Sequence, residues 1–560
     1  MPASLSRRAW WLLALAFAVA WFAALDARRL QHPDEGRYAE IAREMAATDD
    51  WLTPRLNGLK YFEKPPLQYW LGAATFDLLG VDEWTARLPT AVAGFLAVIA
   101  VGFTAARLAT PEAGAYAALV LAGTVWHIGL AQILTLDSVL SAGLTATLCA
   151  FLLAQRPALS PREQCGWMLA AYAAAALATL TKGLVALVIP GGALVAYTLA
   201  TRDWGPWRRL HLLPGLALYL LIAAPWFVMV SRANPEFAQF FFIHEHVERF
   251  LTESHNRTGE WWYFVPWLLL GLLPWLLVWI VTLPRSWRAA AVAANGFAWA
   301  RFCLAWAAFV FLFFSVSGSK LPSYILPLFP ALALVLGFEL TRTGARTLMW
   351  IALPLAVGAP VVLAAFALGF ERIVAALASD ITPASIYRQF GPWIVAGLVA
   401  FSVGGLATFL LFRRGTPVAK TLGIAALALT SLTGFQLALV GHDAFAHVRS
   451  AYYLLADARL ASGGTLAPDA VVYQVGSYDQ TLPFYLGRPT PLVDYRDEMA
   501  LGLDAEPAKG FDRERWIPVW TAAPQAYALM EPATADALVA RGVPLRVIAR
   551  DPRRVFVARR

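Results

Sequence analysis

The stretch Gln31–Trp70, QHPDEGRYAEIAREMAATDDWLTPRLNGLKYFEKPPLQYW, decides how the rest of the chain is read. It follows the first long apolar run and precedes the second. It carries an adjacent carboxylate pair (Asp34, Glu35), cations that include Arg37, Lys60 and Lys64, and a group of aromatics (Tyr38, Trp51, Tyr61, Tyr69, Trp70). Ionisable side chains beside lipid are expensive to keep and mark function by default. The plainer reading is a solvated loop with Asp34 as a helix N-cap. The position just past a span, with Arg37 one turn on and a Lys/Tyr cluster downstream, argues against it.

Outward from this stretch the chain is apolar. Of 560 residues 59% are hydrophobic, 23 are Trp, and the mean hydropathy is +0.57. Soluble domains are only about half apolar. Apolar runs follow at approximately 84–105, 113–130, 136–154, 166–181, 183–200, 211–230, 263–282, 300–317, 322–340, 347–369, 391–411 and 421–440. With the first run they predict about 13 spans of roughly 17–25 residues, a polytopic α-helical membrane protein. The pair over 166–200 is parted by a brief polar break at Thr179–Gly183, with one long bent helix as the alternative. The basic start MPASLSRR and the run AWWLLALAFAVAWFAAL are read as a retained first span, although FAALDA resembles a signal cleavage site.

Charge orients the spans. With the N-terminus inside, every inner loop carries arginine: Arg7-Arg8, Arg107, Arg156, Arg208-Arg209, Arg285, Arg342 and Arg413-Arg414. The net charge of +8 is therefore a topology signal, and no nucleic-acid motif accompanies it. Cys149, Cys165 and Cys303 lie in or beside apolar runs without metal-ligand spacing, so no disulfide or thiolate metal site is expected.

Two outer loops, 26–83 and 231–262, hold amphipathic segments over Arg37–Met45 and Pro235–Phe250, read as helices lying at the membrane surface. After Gly441 the composition turns soluble, dividing the chain into a membrane domain (1–440) and an outer α/β domain (441–560). In the tail, 470–476 and 517–520 read as strands, 546–558 as a hairpin and Gln525–Ala540 as a helix.

The outer side collects the candidate chemistry. Lysine is scarce, yet Lys60, Lys64, Lys182 and Lys320 all fall there. Lys64 follows Glu63 and precedes Pro65-Pro66, which stiffen the turn. Gly318-Ser319-Lys320 lacks P-loop spacing; with Tyr324 it forms a polar turn of hydroxyls and one cation, a set that holds anions. Asp137 sits at the mouth of a span. Arg37, Lys64, Lys182 and Lys320 together predict a positive pocket, and Glu35 is placed in it beside Asp34. Glu63 with His244 or His246 is a conceivable zinc or manganese site, although two His at i, i+2 do not share a helical face.

PDEGRYAEIAREM, DWLTPRLNGLKYFEKPPLQYW, GSKLPSYILPLFPALAL and YDQTLPFYLGR closely resemble the bacterial aminoarabinose transferases that modify lipid A, members of the GT-C glycosyltransferases. The resemblance runs end to end. It implies inverting transfer of 4-amino-4-deoxy-L-arabinose from undecaprenyl phosphate to lipid A phosphates, giving polymyxin resistance. The setting is the periplasmic face of the bacterial inner membrane, with the N-terminus cytoplasmic and the C-terminal domain periplasmic. By motif it implies Asp34 as the catalytic aspartate and Arg37, Lys64 and Tyr324 as holders of the carrier phosphate. Tyr61, Glu63, Lys182 and Lys320 would line the pocket, Lys320 also facing the phosphate, with Asp137 and His244 as weaker transfers. No cofactor is expected to be required, a divalent metal stays open, and a monomer is expected. Two rival readings are a GT-C mannosyltransferase with a protein or other lipid acceptor, and a sugar-lipid transporter. A transporter predicts midplane charges and internal repeats, whereas here the charges gather at the outer boundary.

The orientation is testable. A cysteine placed at Gly463 should react with an impermeant thiol reagent added to the periplasmic side, and one at Gly205 should not. Reversed labelling would overturn both the orientation and the location of the site.

Overall fold

The computed structural model describes residues 5–248, 259–288, 295–467 and 469–560. Among the described residues, eight helices are long and apolar enough to cross a membrane, or up to ten if each of two bent pairs is one span. Helix starts follow local chemistry. In α1 (Arg7–Phe22) the Ser6 hydroxyl accepts from the Ala9 amide. The helices α4 (Glu83–Leu108) and α8 (Pro161–Lys182) open on capping boxes, Asp82 with Thr85 and Ser160 with Glu163.

Two expected spans are broken, and the 166–200 region is two helices, as its two runs read. The 113–130 run is α5 (Pro111–Ala122) and α6 (Val125–Ala131), bent by 62°. The 166–200 pair resolves into α8 and α9 (Val185–Thr201), parted by Gly183 at φ +80°, a conformation that favours glycine. The 263–282 run is Phe264–Gly271 and Leu276–Arg288, bent by 101°. Its interruption contains Pro274, which cannot donate to a helix ladder.

The segments between the spans differ from expectation in several ways. The helix α2 (Asp34–Thr48) is longer than the segment expected and does not lie open on a membrane surface. Glu35, Gly36, Ala39–Met45 are buried, and Ile41 and Met45 pack with Tyr69 and Ala73 of α3 (Leu67–Leu79) and with Tyr478, Leu492 and Met499 of the C-terminal domain. Gln239–Glu248 is a π-helix; Phe237 and Phe241 pack on Phe62, Trp226 and Val230.

The C-terminal domain is a six-stranded mixed sheet, ordered β5-β4-β3-β6-β8-β7. After the small antiparallel pair β1 (Arg55–Leu56) and β2 (Leu59–Lys60), β3 is Val471–Val475, β4 Leu492–Val493, β5 Gly510–Phe511, β6 Ala526–Met530, β7 Leu545–Arg550 and β8 Val555–Arg559. The expected strand at 470–476 and the hairpin about Asp551-Pro552 are present. The expected strand over 517–520 is instead the helix Arg513–Ala522, capped by Asp512. Trp516 and Trp520, one helical turn apart, both enter the core. The expected helix Gln525–Ala540 is split. Ala526–Met530 is a fully buried central strand between β3 and β8, and the helix starts only at Pro532. Periodicity alone does not separate a short buried strand from a buried helix segment.

One polar knot fastens α2 to the spans. Glu35 accepts from Arg28 Nη1 at 2.7 Å and from Arg87 Nε at 2.9 Å. The backbone amides of Gln31 and Leu134 also donate to it. Arg28 reaches the Gln132 carbonyl, and Arg87 reaches those of Leu25, Arg28 and Arg29. All three side chains are buried. Burial alone would raise the Glu35 carboxyl; the two guanidiniums overcome that and hold it well below the usual carboxylate range. Glu35 therefore does not line the pocket where it was expected.

Replacing Glu35 with Gln keeps the shape but leaves two buried guanidiniums without a counter-charge. We expect a loss of about 3–5 kcal/mol in stability, read by thermal unfolding in detergent. An unchanged unfolding temperature would show that the surrounding carbonyls suffice.

Candidate functional site

The residues of the opening stretch converge where α2 begins. Pro33 occupies the N-cap position and makes no side-chain cap bond. Asp34 is thus a first-turn residue and not the cap. Its carboxylate is 44% exposed while that of Glu35 is 4% exposed, because successive helix residues point about 100° apart. Asp34 Oδ1 accepts from Arg37 Nη1 at 2.8 Å, one turn along. Arg37 Nε donates to Glu498 Oε2 at 2.7 Å. Glu498 sits in the helical turn Asp497–Met499 of the C-terminal domain and also accepts from Gln480 Nε2.

The contact is tight. A Cβ added at Gly36 would lie 2.7 Å from the carbonyl carbon of Gln480 and 2.8 Å from the amide nitrogen of Thr481. Glycine lets the backbone of the C-terminal domain rest on α2 between Asp34 and Arg37.

Tyr61, Glu63 and Lys64 border this junction. The Tyr61 hydroxyl is buried with no hydrogen-bond partner among the described residues. Burial, reinforced by the charge of Glu63, pushes its phenol far up, so it stays a neutral donor. Lys64 Nζ donates to the Glu63 carbonyl at 2.7 Å. Lys60 is paired with Glu236 at 2.7 Å. Burial pushes the Glu498 carboxyl up, with Arg37 opposing.

A second group gathers at span mouths. Asp137, in the first turn of α7 (Leu136–Ala154), pairs with Lys182 in the last turn of α8. The Lys182 ammonium also lies 4.6 Å from the centre of the Tyr324 ring. Lys320 is buried, and its Nζ donates to the Ser317 carbonyl at 2.8 Å. In this structure its ammonium closes its own turn instead of standing as an open phosphate contact.

The structure thus brings Asp34, Arg37, Tyr61 and Glu63 together about the start of α2, with Lys64 next to Glu63 in the chain, and gathers Asp137, Lys182 and Tyr324 at the span mouths. It removes Glu35 to a structural knot. His244, the other half of the expected Glu63–His244 metal pair, lies outside the described side chains, as does His246. Among the described residues, one set of three carboxylates has ligand atoms within 4.8 Å of one another: Asp26, Asp82 and Glu83. Glu83 there is ion-paired to Arg29 at 2.9 Å. Sequence reasoning missed Arg28, Arg87 and Glu498. Arg87 carried a usable signal, a cation at the mouth of an apolar run. Glu498, remote in sequence from Arg37, carried none.

Known proteins resemble the chain over nearly its whole length. Residues 461–559 match the family model described as the aminoarabinose transferase C-terminal domain. Residues 6–241 match that of dolichyl-phosphate-mannose-protein mannosyltransferase. The crystal structure of ArnT from Cupriavidus metallidurans bound to undecaprenyl phosphate superposes with a TM-score of 0.90 at 39% identity, covering 99% of this chain and 98% of that one. The apo form of the same protein gives 0.88 at 38% identity. An undecaprenyl phosphate-α-4-amino-4-deoxy-L-arabinose arabinosyl transferase from Edwardsiella ictaluri is 34% identical over 339 residues. That alignment spans 60% of the relative's length. The fold and these relatives together define a membrane glycosyltransferase of the GT-C class. Within that class the chain belongs to the aminoarabinose transferase family.

The α2 contact can be probed directly. Gly36→Ala places a methyl group against backbone atoms that cannot swing away, so we expect a cost of about 1–3 kcal/mol. Faster hydrogen exchange over 478–500, with the apolar spans unchanged, is the expected readout. Unaltered exchange there would show that the two surfaces are not pressed together.

Proposed function

We propose that the protein transfers 4-amino-4-deoxy-L-arabinose from undecaprenyl phosphate to phosphate groups of lipid A, at the outer face of the bacterial inner membrane. The observation that carries the reading is the pairing of Asp34 and Arg37 at the start of α2, beneath a C-terminal domain of the aminoarabinose transferase type. The relatives' named substrate supplies the sugar and the carrier. Lipid A as acceptor, a monomeric state and the periplasmic orientation are further parts of the same proposal.

The chemistry balances without a strong base. An oxygen of the acceptor phosphate attacks the anomeric carbon of the sugar. The bond from that carbon to the carrier phosphate oxygen breaks, and its electron pair leaves with undecaprenyl phosphate. The acceptor loses one negative charge and the carrier gains one. An in-line displacement inverts the anomeric centre. The demand on the protein is for cations where charge grows. Arg37 offers a two-pronged grip, Lys64 and Lys182 compact charges and Tyr324 a neutral donor. Asp34 is assigned to orient the sugar or the acceptor. A carboxylate held against the carrier phosphate would repel it.

Two variants separate these roles in one purified preparation. Asp34→Asn should bind carrier lipid as tightly as wild type or more so, while single-turnover transfer falls steeply. Lys64→Ala removes one charged contact, about 1.5–3 kcal/mol, and should raise the donor concentration required. The product is read as the aminoarabinose mass increment on lipid A. Loss of carrier affinity in Asp34→Asn with affinity retained in Lys64→Ala would reverse the assignment.

A further inference from the structure

Arg37 is one guanidinium among several carboxylates. Asp34 occupies Nη1 and Glu498 occupies Nε, and the charge of Glu63 acts on Glu498 as well. The junction keeps more acid than the carrier phosphate would need; a phosphate alone would be better served by cations without acidic neighbours. Two buried polar atoms beside Glu498 are also left without partners among the described residues, the Tyr61 hydroxyl and Gln480 Oε1. Gln480 touches Glu498 through its other amide atom. Buried polar groups are almost always paired, so a site that keeps two unpaired beside a carboxylate is shaped for a polar ligand.

The donor of the proposed reaction has a matching charge pattern. Its phosphate is anionic, and its sugar carries a primary aliphatic amine, which is protonated at neutral pH as lysine is. The Arg37–Glu498 pair presents the complementary two charges. When such a donor enters, Arg37 exchanges a carboxylate for the phosphate and Glu498 exchanges a guanidinium for the ammonium. Neither is left buried alone, the situation that makes breaking a buried pair costly.

We propose that Glu498, supplied by the C-terminal domain, is the residue that recognises the 4-amine of the donor sugar, with Tyr61 and Gln480 hydrogen-bonding to the same ring. The assignment rests on the donor proposed above. A sugar with a hydroxyl at that position offers no charge to Glu498, so the site discriminates by leaving its own carboxylate uncompensated. Specificity for the amino sugar then resides in the outer domain, while the groups that meet the carrier phosphate reside in the membrane domain.

The experiment uses the full-length protein in detergent with lipid A and two donors on the same carrier, one bearing aminoarabinose and one bearing arabinose. Wild type should favour the amino donor by about 10- to 100-fold in kcat/KM. Glu498→Gln keeps the shape and removes the charge. It should raise KM for the amino donor by a similar factor while changing the arabinose donor little, so that discrimination collapses. Glu498→Asp, which restores the charge on a shorter arm, should recover part of the preference and serves as the second variant if Glu498→Gln folds poorly. An equal loss on both donors would reduce Glu498 to a positioning residue for Arg37 and overturn the assignment. Preserved discrimination in both variants would do the same. Wild type that transfers neither sugar, or arabinose alone, would overturn the donor reading itself.

Discussion

The arrangement of α2 and the residues about it depends on the buried carboxylate of Glu35, held between Arg28 and Arg87. Three charges leave water together with a surplus of one positive, which backbone carbonyls of Leu25, Arg28, Arg29 and Gln132 offset. A buried ionic group of this kind is a weak source of net stability, since an apolar replacement often does as well. What it supplies here is placement. Arg87 belongs to a span, Arg28 to the link after α1, and Glu35 to α2, so the knot fixes the rotation of α2 about its own axis. Asp34 and Arg37 inherit their direction from it.

The second constraint is the seat of the sheet domain on α2. Backbone and side chains interlock: Asn57 and Thr490 exchange hydrogen bonds, Arg43 donates to the Gly487 carbonyl, the Leu30 amide donates to the Tyr485 hydroxyl, and Gly36 accepts the close approach at Gln480. The helix is thereby clamped between spans and sheet. Loops that carry chemistry are normally the mobile part of a scaffold, and here the segment proposed to carry it is instead buried along most of one side.

The membrane class was legible in the sequence. Apolar runs of about twenty residues match the thickness of a bilayer, and a charged stretch kept beside them is costly unless it serves chemistry. The strand at 470–476 and the hairpin about Asp551-Pro552 were legible too. Reading failed where tertiary context decides. Ala526–Met530 reads as helix and is a strand because two neighbours flank it in the sheet. Trp516 and Trp520 are a helical pair, and the apolar tetrapeptide that ends on Trp520 reads by itself as a strand. Within the site, adjacent Asp34 and Glu35 look alike in sequence, and only the geometry of α2 sends one to the junction and the other to the knot. Glu498 was invisible because long-range ion pairs leave no local pattern.

The cations themselves alter the idea of a positive pocket. Arg37 is held by Asp34 and Glu498, Lys182 by Asp137, Lys60 by Glu236, and Lys320 by a carbonyl. Formal charge in the sequence therefore overstates the field that an arriving phosphate meets. An anion binds to such a site by displacing carboxylates, and its affinity is the difference between two charge-assisted pairings instead of the full worth of one. That difference is smallest for a ligand bringing one charge and largest in its favour for a ligand bringing both, since each displaced carboxylate then finds a new partner. A zwitterionic headgroup satisfies the acids and the bases of the junction at once, and a plain phosphate satisfies only half of them.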